Sequence, residues 1–82
     1  MRLHVFRRHL AERFPAPLFT SHVAANAVEY RAVLTAPQGG VLVAQAGPTA
    51  ERVRVFWRGQ FVNFLDALPR DAFHSLTATE GR

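Results

Sequence analysis

The sequence predicts an α+β domain: a small antiparallel sheet, mainly a meander, covered by an N-terminal helix and finished by a short C-terminal helix. Three observations carry this reading. Leu3, Phe6, Leu10 and Phe14 recur at spacings of three and four, which places them on one stripe of a helix. From Val28 to Ala46 the period drops to two around a Pro-Gln-Gly-Gly turn, the pattern of a hairpin. Arginine and valine then alternate from Arg52 to Val55, followed by Phe56-Trp57-Arg58, which reads as a further strand.

The helix is predicted over residues 1–14. Arg7 and Arg13 flank its apolar stripe, and Arg2, Arg8, His4 and His9 lie further round. Pro15 and Pro17 stop it, because a proline disfavours helical geometry in the residue before it. Leu18 to Val23 follows as a weaker strand, opening a sheet region that spans 18–64. In the hairpin, Val28, Tyr30, Ala32 and Leu34 alternate with Glu29, Arg31, Val33 and Thr35. Pro37 to Gly40 makes the turn, since two glycines supply positive φ without strain. Val41 to Gln45 returns, and Gly47-Pro48 ends the strand.

Two readings compete between Thr49 and Leu68. On a helix, Ala50, Val53, Trp57, Phe61, Phe64, Leu65 and Leu68 form one apolar face. On a strand, Val53, Val55 and Trp57 face one way, and Arg52, Arg54, Phe56 and Arg58 the other. The strand reading is preferred. It accounts for the density of valine and aromatics and puts Gly59 at a bend, where a helix would carry it at a cost of about 1 kcal/mol. The prediction is therefore a strand over 52–58, a turn at Arg58-Gly59, and a second short strand to Phe64. Pro69 suits the first turn of a final helix over 69–76, and 77–82 reads as a frayed tail. Under the helical alternative, the order helix, three strands, helix is similar to a double-stranded-RNA-binding domain. That family begins its last helix with lysines, whereas Thr49-Ala50-Glu51-Arg52-Val53-Arg54 has none, so the similarity covers element order only.

Eighty-two residues make one domain, with a modest core that a disulfide, a metal or a partner would normally reinforce. The chain has no cysteine, which removes disulfides, thiolate nucleophiles and cysteine-ligated zinc and fits a reducing, cytoplasmic setting. Association with a second copy or a foreign partner is the remedy left open. No apolar run is long enough to span a bilayer. The arginines of the first fourteen residues suggest a transit segment, but Glu12 and the lack of serine there argue against one.

The net charge is +4, with ten basic residues that are all arginine. Together with abundant alanine this reflects GC-rich coding as well as surface chemistry, so the distribution says more than the sum. One cluster is Arg2, Arg7, Arg8 and Arg13, the other Arg52, Arg54 and Arg58, and the middle of the chain is nearly uncharged. That pattern places basic elements on either side of a core sheet.

Motifs for catalysis or metal binding do not assemble. His4 and His9 are five apart, on diverging helix faces, and His22 and His74 are isolated. Glu12, Glu29, Glu51, Asp66 and Asp71 sit beside arginines or at exposed positions, as solvated carboxylates do. Ser21 and Ser75 adjoin His22 and His74, yet neighbours on a strand point to opposite faces. Pro37 to Gly40 lacks the lysine and hydroxyl of a phosphate loop. Ala46-Gly47-Pro48-Thr49 would offer amides to an anion only if a helix followed it. The expectation is no enzyme, no cofactor and no metal.

The segment singled out is Arg52-Val53-Arg54-Val55-Phe56-Trp57-Arg58. Arginine and aromatics together mark binding hot spots and also suit stacking on bases with phosphate neutralisation. The plain alternative is an edge strand that arginine keeps soluble. The binding residues expected are Arg52, Arg54, Phe56 and Arg58, with Arg7 and Arg8 from the first cluster. The expected function is a protein-interaction module, a small accessory or inhibitory protein of the kind phages and mobile elements encode against host machinery. A homodimer is expected. Nucleic-acid binding through the two arginine clusters is the alternative.

Overall fold

The computed structural model describes residues 1–24, 27–35 and 40–68, and shows helix α1 (Leu3–Ala11) and five strands. These are β1 (Leu18–Ala24), β2 (Ala27–Thr35), β3 (Val41–Ala46), β4 (Arg54–Trp57) and β5 (Gln60–Phe64), followed by a short 3-10 turn over Leu65–Ala67. The strands pair antiparallel in chain order, β1-β2-β3-β4-β5, which is the meander the sequence implies. Of the turn expected over Pro37 to Gly40, residues 37–39 lie outside the described residues, as do the helix expected over 69–76 and the tail expected over 77–82.

Helix α1 has no side-chain cap and no acid in its first turn, though Arg8 and His9 sit favourably in its last. Nine residues do not hold a helix in water unaided, so docking must supply the stability. Phe6, Leu10 and Phe14 are buried, and the Phe6 ring lies 5.6 Å from Tyr30 and 6.3 Å from Phe19. Leu3, the fourth member of the predicted stripe, is 37% exposed. It is the first helical residue, with no preceding turn to bring it over the sheet.

The face under the helix is set by register. Phe19, Ala32, Ala44 and Val55 stand opposite one another across four strands, with Leu34, Leu42 and Trp57 as the next row. Ala32, Ala44, Leu34, Leu42 and Val55 are fully buried. The small alanines at the centre leave room for the large residues of α1, so bulk on the helix is matched by its absence on the sheet. Val28, expected on this face, is 42% exposed at the start of β2. The Trp57 indole N–H is buried without an acceptor among the described residues.

The contested segment is a hairpin. Arg58 and Gly59 both adopt positive φ, 52° and 77°, as a two-residue hairpin turn requires. A methyl group added at Gly59 would meet nothing within 4 Å, so Gly59→Ala isolates the backbone cost of that geometry. We expect a loss of about 1–2 kcal/mol in urea unfolding. An unchanged midpoint would mean that the turn relaxes readily.

Strand β5 carries one extra residue. Arg54 pairs with Phe64 and Val55 with Asn63, but Phe56 then pairs with Phe61 and Trp57 with Gln60, leaving Val62 as a bulge. Val62 packs against the core. Beyond β5, the Leu65 amide donates to the Val53 carbonyl at 2.8 Å, and Arg13 donates to the Leu65 carbonyl at 3.1 Å, tying the segment just after α1 to the 3-10 turn. The Met1 amino group donates to the carbonyls of Gly47, Pro48 and Ala50.

Candidate functional site

The face of the sheet turned away from α1 is the most distinctive surface of the molecule. Side chains alternate along a strand, so the partners of the buried rows fall on this second face. Register places Leu18, Val33, Val43, Phe56 and Phe61 in one line across all five strands. Leu18 is 63% and Phe61 50% exposed, and the three between them are half-buried. No described element covers this line.

A second row runs beside it: Thr20, Arg31, Gln45, Arg54 and Phe64. Phe61 joins the two rows, its ring 5.9 Å from Phe56 and 5.3 Å from Phe64, both edge-on. Phe61 and Phe64 are three residues apart, and in a regular strand they would point to opposite faces. The Val62 bulge brings both to the open one. Gln45, with its amide turned to match its donors, accepts from Arg31 Nε at 3.1 Å and Nη2 at 3.0 Å.

At one end of the rows a cavity of about 490 Å³ opens, lined by Gln45, Thr49, Arg52, Arg54 and Phe64 together with Glu29 and Glu51. Arg52 is committed there. It donates to both oxygens of Asp66, from Nε at 3.0 and 3.2 Å and from Nη2 at 2.8 Å, and its guanidinium lies 4.0 Å from the Phe64 ring centre. These hydrogen bonds hold the Asp66 carboxyl below the ordinary aspartate value. The folded state therefore favours the carboxylate, so the pair's contribution is complete above the unfolded aspartate range and fades as pH falls through the lower folded value. Carboxyl chemical shifts followed through acid should place Asp66 below a typical aspartate and return it to normal in Arg52→Ala. An unchanged titration in that variant would break the assignment.

The predicted site residues divide among three places. Arg52, Arg54 and Phe56 meet at the open face. Arg58 does not continue their row: its positive φ turns it at the hairpin tip, and its guanidinium stacks 4.8 Å from the Trp57 ring. Arg7 and Arg8 are on α1, across the sheet, where Arg7 lies 5.5 Å from the Phe19 ring. Leu18, Val33, Val43, Phe61 and Phe64 were not singled out by the sequence reading. An exposed leucine or valine carries no signal until register sets it beside its neighbours.

Among the described residues, no cluster of three or more His, Asp or Glu is placed to hold a metal ion, and no helix is long and apolar enough to cross a membrane. Known family models, curated proteins and solved structures yield no match to this chain.

Proposed function

We propose that the chain is a non-enzymatic protein-interaction module that docks its partner on the open face of the sheet. The observation that carries this is the unbroken apolar line from Leu18 to Phe61, with aromatic rings clustered at one end. A contiguous apolar surface of this kind marks interaction sites in small proteins, and clustered aromatics beside an arginine are the usual anchors. Small size and the lack of a catalytic motif favour an accessory or inhibitory role, of the phage or mobile-element type, in the cytoplasm. A photoreactive phenylalanine analogue at position 61 tests the docking face in cells. It should yield a discrete protein adduct that the same analogue at Arg8, on α1, does not. Equal labelling at both positions, or none at either, overturns the reading.

Self-association is proposed along a different surface. Strand β1 is an edge of seven residues, with no charged residue or proline and no shift in register against β2, whereas β5 is shorter and bulged. Unprotected edges invite pairing with a second copy. Light scattering over a micromolar range should return the dimer mass, and a monomer mass throughout would exclude it.

Nucleic-acid binding is the second reading, favoured by the Phe61 ring in contact with both Phe56 and Phe64 beside Arg54. Arg54 is the clearest phosphate contact, because Arg52 is paired with Asp66. Replacing Arg54 should then flatten the log–log salt slope of oligonucleotide binding by about 0.9. Weak affinity from the outset favours the protein partner.

A further inference from the structure

We infer that the occupant of the open face is an acidic segment of another protein, its apolar side chains on the Leu18–Phe61 line and its carboxylates on Arg54 and Arg31. This rests on the docking reading above and specifies the partner's chemistry.

The argument is one of charge complementarity. The two arginines stand in the row directly beside the apolar line, one on each side of Gln45. Gln45 satisfies hydrogen bonds of Arg31 but brings no negative charge. Arg54 is exposed, and it has no ion pair or side-chain hydrogen bond among the described residues. The ion pair at this end is Arg52–Asp66, so that arginine's charge is already answered. Glu29 and Glu51 line the same cavity as Arg54 but form no ion pair with it or with Arg31.

Covering the apolar line brings an occupant over Arg54 and Arg31 as well. A neutral occupant would strip water from two cations and return hydrogen bonds without a countercharge, which is costly. A basic occupant would be repelled. A second copy laid face to face brings its own Arg31 and Arg54, and each chain carries a net +4. An acidic occupant supplies what is missing, since a carboxylate meets a guanidinium with two parallel, charge-assisted hydrogen bonds. Placed beside a dry apolar line, such a pair also sets the register of docking.

The test is selection from a displayed library of random dodecapeptides on the full chain, on Phe61→Ser, and on the double variant Arg31→Glu, Arg54→Glu. All three positions lie on the open face, and matching circular dichroism melts confirm that the variants fold. The wild type should enrich peptides combining apolar or aromatic residues with Asp and Glu. The charge-reversed variant should switch that enrichment to Lys and Arg. Synthetic copies of the acidic peptides should lose roughly tenfold or more in affinity on Arg54→Glu, the scale of about 1.4 kcal/mol. Peptides that need Phe61 but are poor in acids, or that tolerate Arg54→Glu within twofold, would overturn the acidic partner and leave the docking face standing. Peptides indifferent to Phe61 would overturn both. Tighter, Arg54-dependent binding of oligothymidylate than of any selected peptide would assign the anion to phosphate and overturn the protein partner.

Discussion

Phe6→Ala is expected to cost about 3–5 kcal/mol, the range for truncating a buried aromatic ring, and to leave the chain largely unfolded at ambient temperature. Phe6 is fully buried and touches Tyr30 and Phe19, so one ring joins α1 to two strands. Nothing nearby compensates, because the helix is uncapped at its start and too short to persist alone. A domain of ordinary stability has only about 5–15 kcal/mol in total, and one of this size sits near the lower end. Urea unfolding followed by far-ultraviolet circular dichroism measures the loss. A cost below about half a kcal/mol, typical of a surface change, would mean that α1 is not docked through this ring.

The second large effect separates the two faces of the sheet with one residue type. Leu34→Ala should destabilise by about 2–5 kcal/mol, whereas Leu18→Ala should stay within about half a kcal/mol. Leu34 is fully buried on the core face of the sheet, opposite Leu42 in register, while Leu18 starts β1 on the open face at 63% exposure. Deleting the buried leucine removes apolar contact and leaves a cavity in the core, whereas deleting the exposed one does neither. Paired urea titrations decide the matter. Equal losses would mean that the open face is itself packed in the folded protein.

Much of this architecture was legible because its signals are local. The spacing of Phe6, Leu10 and Phe14 names the buried helix stripe, and period-two alternation names Tyr30, Ala32 and Leu34. Gly59, with positive φ, selected hairpin over helix between Arg54 and Phe64. The docking face was less legible because it is assembled from pairings. Leu18 and Phe61 are 43 positions apart in the chain, and only the register of five strands puts them on one line. Arg58 was misplaced on the Phe56 row because alternation was carried through a residue whose backbone had already turned. The strand reading separates Phe61 from Phe64 for the opposite reason: a bulge breaks the alternation that would place them on different faces. The grouping of Arg7 and Arg8 with Arg52 and Arg54 followed from charge alone, whereas a sheet stands between them.

The bulge also makes the length of β5 negotiable at one spot. Removing Val62 would leave all four pairings of the hairpin, from Arg54–Phe64 to Trp57–Gln60, as they are, at the expense of the contact Val62 makes with the core. Losing Asn63 instead would let Val62 take its place opposite Val55. Removing a residue from within β4, by contrast, turns the rest of that strand over and exchanges core for surface. Relatives of this chain should therefore align through the hairpin without gaps except at 62 or 63, and a gap there would mark a lineage that kept the aromatic cluster while straightening the strand.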